Sequence, residues 1–303
     1  MRKIKHIWSI PMLLFCLACN NNTNDTPVQT IDTTALAQKK LEMSSEAINE
    51  VIKSIPSPLE LTSLIKESGA EFNKGMLNST ESKGGYTQTF SKAVNLGIYG
   101  ADLGYINIYE KSTAAIDYLG AVRGLADDLY LGQFFDFETL KRLASNSSKL
   151  DSLIFISTMS FEKMNNYLAK QKRDNISVLM LIGGWIESLH LAATVAKETK
   201  SPKLMERVGE QKISLDQIMI LLKLFKDDKA FVGLNDEVEK LKNLFDQVKI
   251  TYEYKEPVTK EVDGMLVVEE NSGSTSTVEI SQPLFEQIAA QISKIRTTLT
   301  KVN

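Results

Sequence analysis

The sequence predicts an all-α fold: one multi-helix bundle of about nine to ten helices, which could also be helical-repeat-like. Apolar residues recur at three- and four-residue spacing along nearly the whole chain, which is the pattern of amphipathic helices. The breaks between these segments carry Pro, Ser and Gly, which begin or end helices. Of the 303 residues, 43% are apolar and 24% are charged, as in ordinary globular proteins. These three observations define the predicted fold class.

Segments with helical periodicity follow one another from residue 35 to the end of the chain. Pro58, Pro202 and Pro283 each fit the first turn of a helix, and Ser57 and Ser201 are suited to cap the helices that follow them. The predicted helices are 35–54, 57–73, 87–110, 113–131, 136–145, 149–171, 175–198, 202–225, 234–249 and 283–301.

Residues 250–282 break this pattern. Met265–Val268 and residues 277–280 flank a polar stretch that contains Gly and Ser. Two interpretations stay open for the region near 262–281: a small β-hairpin or a disordered excursion.

Residues 1–18 predict a signal peptide. Arg2, Lys3 and Lys5 form a basic start, and residues 7–19 are almost entirely apolar. This run is shorter than the roughly 20 residues that a helix needs to cross a bilayer. Polar residues follow at once, so the segment fits an export signal better than a core helix.

The end of that segment, Leu17-Ala18-Cys19, resembles the lipobox of bacterial lipoproteins. The resemblance implies cleavage after Ala18, diacylation of the Cys19 thiol and acylation of the new amino terminus, with palmitate as a typical chain. Two or three acyl chains are enough for stable anchoring in a membrane. A plain secretory signal that ends elsewhere is the alternative.

The predicted domain organisation follows from this processing. Residues 19–34 form the lipidated cysteine and a polar, flexible tether, and residues 35–303 form the helical domain. By resemblance to the lipoprotein sorting rule, Asn20 directly after Cys19 implies transport to the outer membrane. Residues 20–24 contain no acidic side chain, which favours a domain that faces the periplasm.

Charge and motifs exclude several classes of function. The net charge of −3 becomes more negative without residues 1–18, which carry three basic and no acidic side chains. This argues against nucleic-acid binding. The sequence contains no HExxH, phosphate-loop or GxSxG motif, and no metal-binding CxxC, since its one CxxC spacing, Cys16 to Cys19, lies in the predicted signal segment. We therefore predict no catalytic set, metal or cofactor, and the expected partners are the membrane, through Cys19, and an envelope protein.

Residues 175–198 are apolar nearly all the way round, which predicts the central helix of the bundle. Glu187 and His190 interrupt the apolar run and argue against a membrane span. They match the Glu-x-x-His pattern of di-iron bundles, but His190 is the one histidine left after residue 18, so a second pair cannot be supplied. We predict a structural polar pair, with Glu187 bonded to His190 or to another helix.

Five glycines in two neighbouring helices need a reason, because each costs a helix about 1 kcal/mol relative to alanine. The pairs Gly100/Gly104 and Gly120/Gly124 could be flat strips on which helices pack closely. Alternatively, the missing side chains open a ligand cleft with polar groups from Asp102 and Arg123. The tyrosines that would line this cleft are Tyr99, Tyr105, Tyr109 and Tyr118.

The sequence thus predicts a lipid-anchored envelope protein that acts as a non-enzymatic binding or scaffolding module. The alternative is a solute-binding lipoprotein or enzyme that uses the cleft around Asp102 and Arg123.

Overall fold

The structure is a computed structural model that describes residues 43–144, 150–253, 259–262, 265–268 and 275–302. The predicted signal peptide, Cys19 and the tether lie outside the described residues. Leu41–Asn303 forms one compact unit.

The all-α prediction is confirmed. The described part of the chain contains ten α-helices and four short strands. The helices are α1 Ser45–Ser54, α2 Pro58–Glu67, α3 Thr89–Ile108, α4 Ser112–Asp128, α5 Phe137–Ala144, α6 Leu150–Lys170, α7 Asp174–Thr199, α8 Pro202–Leu224, α9 Val232–Phe245 and α10 Gln282–Leu299. The strands are β1 Lys249–Glu253, β2 Thr259–Val262, β3 Met265–Val268 and β4 Thr275–Glu279.

Serine side chains cap several helices, as predicted for Ser201. The Ser201 hydroxyl accepts a hydrogen bond from the Leu204 backbone N–H at 3.3 Å, which satisfies one of the unpaired donors of the first turn of α8. Ser281 plays the same part for α10, with Leu284 N–H at 3.4 Å.

Several helices end without glycine. Glu110, Tyr130 and Lys172 have left-handed backbone, with φ of 58°, 61° and 54°. The N–H of each following residue bonds to a carbonyl five residues earlier, as in a Schellman turn: Lys111 to Ile106 (3.1 Å), Leu131 to Ala126 (2.7 Å) and Arg173 to Leu168 (2.8 Å). Because these positions lack glycine, periodicity alone placed the ends of α3 and α4 two to three residues too late.

Helix α7 is the centre of the bundle, as predicted. α1, α2, α3, α6, α8 and α10 all pack on it. Within the described residues it is the one helix long and apolar enough to cross a membrane, and 94% of its most apolar window is buried inside the protein. Helices that are distant in sequence share this single axis, so the bundle is not a helical-repeat stack, in which each unit contacts only its neighbours.

The closest helix approach joins α3 to α7. A Cβ at Gly97 would collide with the backbone carbonyl of Met180, and a Cβ at Gly183 with that of Val94. Both positions therefore need glycine for close approach.

The predicted glycine strips are wrong at three of their four positions, and Gly104 alone is buried. Gly100, Gly120 and Gly124 face solvent, and nothing lies within 4 Å of the point where a Cβ would stand. The spacing of glycines within a helix does not show whether they face a neighbouring helix or solvent.

Of the two interpretations left open for the region near 262–281, the described residues show strand structure, in the form of two antiparallel pairs. β1 pairs with β4, with Lys249 opposite Glu279, and β2 pairs with β3, with Val262 opposite Met265. Met265–Val268 and residues 277–280 thus contribute to different pairs, and β1, the partner of β4, begins at Lys249, the last residue of the predicted ninth helix.

Candidate functional site

The residues predicted to line a cleft do not lie around one. Tyr99, Asp102, Tyr105 and Tyr118 are buried, and Tyr109 is half-buried. They belong to the packed interior beneath the segment that joins α2 to α3.

Tyrosine hydroxyls hold that connecting segment in place. Each donates a hydrogen bond to a backbone carbonyl: Tyr99 to Ser79 (2.7 Å), Tyr109 to Ala70 (2.7 Å) and Tyr118 to Asn78 (2.8 Å). The Tyr105 hydroxyl accepts from the Asn73 N–H at 3.1 Å. The segment carries few apolar residues of its own, so these bonds fix it where a cleft was predicted.

Arg123 is not part of this cluster. Its side chain is exposed, lies 3.8 Å from the Asp127 carboxylate and stacks on the Phe137 ring at 5.3 Å. The prediction that Arg123 and Asp102 share a cleft is therefore wrong, because Asp102 is fully buried in the core and Arg123 is exposed to water.

The interior instead contains a charged cluster that joins three helices, formed by Asp102 of α3, Glu187 of α7 and Arg296 of α10. Arg296 binds the Glu187 carboxylate through two hydrogen bonds, of 2.8 Å and 2.9 Å, and also donates to the Met76 carbonyl at 3.1 Å. Asp102 and Glu187 are fully buried. The two-pronged Arg–carboxylate geometry is the strongest form of such a pair.

The surroundings of Asp102 favour its protonated form. Burial first, and then the neighbouring Glu187 carboxylate, raise the pKa of Asp102 well above its ordinary value, against the opposing charge of Arg296. Its Oδ2 accepts from the Asn78 N–H at 3.1 Å. Its Oδ1 accepts from no donor in the described part of the chain, which fits an O–H that faces Glu187. With Asp102 protonated, the cluster carries one negative charge on Glu187 and one positive charge on Arg296.

Asn78 links this cluster to the C-terminal end of α10. Its side-chain amide donates to Tyr86 at 3.1 Å and to Asn95 at 3.3 Å. Asn95 in turn donates to the Leu299 carbonyl at 2.9 Å, and Tyr86 to that of Thr300 at 3.2 Å. A connected set of satisfied polar groups specifies one arrangement of the core.

The predicted Glu187–His190 pair is replaced by Glu187–Arg296, the alternative in which Glu187 bonds to another helix. His190 lies beside the pair, and burial lowers its pKa, with Arg296 acting in the same direction and Glu187 against it. Across the described residues, no group of three His, Cys, Asp or Glu side chains could hold a metal.

An open groove lies on another side of α7, between α2 and α8. Its volume is about 390 Å³, within the range of small-ligand sites. Trp185 and Ser188 of α7 form its floor, and Ile213 of α8 and Tyr252 of β1 stand at its mouth. We call this the α2–α8 groove.

A second, wider groove of about 660 Å³ lies where α8 and α10 begin. Lys200 and Lys249 line it together with Glu206 and Glu279, so its charges balance. Neither of the two grooves is lined by Asp102 or Arg123.

Comparisons with known proteins identify no relative. No protein-family model matches the chain, no curated protein matches it, and no solved structure matches its fold. Any functional conclusion must therefore come from the chain itself.

Sequence reasoning missed Asn78, Arg296 and the α2–α8 groove. Arg296 carried a usable signal, because it falls four residues after Ile292 and three before Leu299, on the apolar seam of α10. Asn78 sits in an irregular segment and carried no signal. The groove arises from the distance between two helices, which no local pattern encodes.

Proposed function

We propose that the chain is a lipid-anchored protein of the bacterial cell envelope whose helical body acts as a non-enzymatic binding module. The observation that carries the proposal is the Leu17-Ala18-Cys19 sequence, which resembles a lipobox and is followed by a polar tether. In this proposal Cys19 holds the body at the outer membrane, on the periplasmic side, where it meets an envelope partner or solute.

The structure of the body supports binding more than catalysis. The buried ionisable side chains Asp102, Glu187 and Arg296 bond to one another and to backbone, rather than facing a cavity where they could act on a substrate. The α2–α8 groove is instead an open concave surface, and its lining is largely neutral. An enzyme that uses Asp102 and Arg123 in one cleft is not favoured, because the two side chains do not meet.

Membrane fractionation of a matched pair of variants tests the anchor. Cys19→Ser removes the proposed acyl acceptor and should release the protein from the membrane fraction. Cys16→Ser removes the neighbouring thiol, three residues earlier, and should leave the protein attached. Globomycin, which blocks lipoprotein signal cleavage, should cause the acylated precursor to accumulate. Cys19→Ser protein that stays in the membrane after a carbonate wash would contradict the proposal.

Protease treatment of intact cells tests the proposed orientation. The tether of residues 20–34 is polar and is the expected point of cleavage. A domain that faces the periplasm should survive until the outer membrane is ruptured. Its loss from intact cells would show that the body is displayed outside the cell.

A further inference from the structure

Ser188, one of the residues that line the α2–α8 groove, carries a buried hydroxyl that the described part of the protein does not satisfy. Ser188 is 1% exposed, and among the described residues its Oγ has no hydrogen-bond partner. A buried hydroxyl without a partner is costly, and this one lines an open groove. A ligand group in the groove would supply the missing bond.

Apolar side chains surround this hydroxyl. Trp185 lies one helical turn before Ser188, and its indole N–H is fixed by a 3.1 Å hydrogen bond to the Gln211 side chain, so the ring is held in one orientation. Leu61 and Leu64 of α2 form one wall. Ile213 is 48% exposed at the mouth of the groove, where a bound apolar group would cover it. The lining thus suits a compact ring or branched chain.

The charges at the rim select against anions. Arg207 of α8 is paired with Glu210 at 2.6 Å, and Glu60 of α2 adds a second carboxylate. The described lining therefore carries one excess negative charge, so an anionic ligand is repelled and a neutral or cationic one is favoured.

We propose that the α2–α8 groove binds a small molecule with a compact apolar body and one neutral or cationic hydrogen-bonding group, which bonds to Ser188 Oγ. This deepens the proposed binding function, since it assigns that function a site and a ligand class.

The chain carries its own reporter for this groove. It contains two tryptophans, Trp8 and Trp185, and Trp8 lies in the predicted signal peptide. A chain that starts at residue 19, with Cys19→Ser, retains the whole compact unit Leu41–Asn303. Its single indole N–H signal in an NMR spectrum then reports on the floor of the groove.

Three probes with the same ring separate the charge states: benzyl alcohol, benzylamine and benzoate. Titration with benzyl alcohol or benzylamine at millimolar concentration should shift the Trp185 indole signal saturably. Benzoate should bind severalfold more weakly than either. No saturable shift with any of the three, or tightest binding of benzoate, would overturn the proposal.

Matched variants locate the bond. Ser188→Ala should weaken benzyl alcohol binding about two- to tenfold. Ser177→Ala removes another fully buried hydroxyl of α7 that lacks a partner but does not line the groove, and it should leave binding unchanged. Both variants should melt at or above the wild-type temperature, because each removes an unsatisfied group. Equal binding by Ser188→Ala and Ser177→Ala would overturn the assignment.

A second pair tests the apolar mouth. Ile213→Ala should weaken binding of benzyl alcohol and benzylamine alike, whereas Ile116→Ala, at a similarly exposed isoleucine of α4, should not. Loss of binding in both variants, or in neither, would place the probes elsewhere. These titrations use protein without the lipid anchor, so their result does not depend on whether Cys19 is acylated.

Discussion

The two sides of helix α7 are built in opposite ways. At 3.6 residues per turn, Gly183 and Glu187 fall on one side, and Trp185 and Ser188 on the other. On the first side α3 approaches to backbone contact and the ionised groups are paired. On the second, α2 and α8 leave a groove and a buried hydroxyl without a partner. The same helix is thus both the structural axis of the bundle and the floor of its candidate binding site.

The two sides of α7 also differ in the burial of their Arg–Glu pairs. Arg296–Glu187 lies on the closed side, with the Glu187 side chain fully buried and that of Arg296 only 16% exposed. Arg207–Glu210 lies at the rim of the groove, with exposures of 42% and 22%. Water screens the pair at the rim. Loss of one partner should therefore change the free energy of unfolding less at the rim than in the core, although both pairs have short hydrogen bonds.

The largest expected effect comes from breaking the buried pair. Arg296→Met leaves Glu187 in the core without its counter-charge and should lower the free energy of unfolding by about 3–5 kcal/mol. Arg207→Met at the rim should cost about 1 kcal/mol or less. Chemical denaturation of both variants measures the two losses.

A double variant sharpens this result. Glu187→Met combined with Arg296→Met removes both charges, and it should be more stable than Arg296→Met alone. If Arg296→Met and Arg207→Met cost the same, the contrast between the two sides of α7 would be lost.

The next effect concerns backbone contact between α3 and α7. Gly183→Ala places a Cβ against the Val94 carbonyl, which cannot move without shifting α3. It should cost about 1–3 kcal/mol in stability, despite the better helix propensity of alanine. Gly100→Ala, on the solvent face of α3, should instead stabilise the protein by about 0.5–1 kcal/mol. Opposite changes in melting temperature would check this, and a stabilised Gly183→Ala would refute the close approach.

The smallest expected effect is a change in pH dependence. Because the folded-state pKa of Asp102 is raised above its ordinary 3.8, the stability that its proton provides is complete below 3.8 and is lost as pH rises through the folded pKa. Asp102→Asn removes this loss. As pH rises from 3.8 to the folded-state pKa of Asp102, the free energy of unfolding of the variant should increase relative to that of wild type by up to about 1.4 kcal/mol per pH unit.

The difference between Asp102→Asn and wild type separates the pH dependence that Asp102 causes from the pH dependence that His190 causes. The lowered pKa of His190 acts in the other direction, since its stability is complete above 6.5 and is lost as pH falls, but both proteins share it. Asp127→Asn, at an exposed carboxylate of α4, is the control and should follow the wild-type curve. Urea denaturation at several pH values makes the measurement, and parallel curves for Asp102→Asn and wild type would contradict a protonated Asp102.

Periodicity was enough to predict the helices and the central place of α7, because both depend on which residues along one segment are apolar. It also predicted that Glu187 would need a partner in the core. It could not distinguish a cleft from a packed interior at Tyr99 and Tyr118, because tyrosine suits both. That distinction depended on whether the segment around Asn78 covers the rings, and an irregular segment has no period to analyse.

The hydrogen bonds at the end of α10 also impose an order on folding. Arg296, Leu299 and Thr300 bond to groups more than 200 residues earlier in the chain. A ribosome releases the N-terminal helices first, so a nascent chain that ends before α10 carries Glu187 without a cation and an incompletely covered α7. The native core can close only when nearly the whole chain has emerged, because contacts between such distant residues cannot form earlier. Until then the contacts that close the core around Glu187 and α7 are missing.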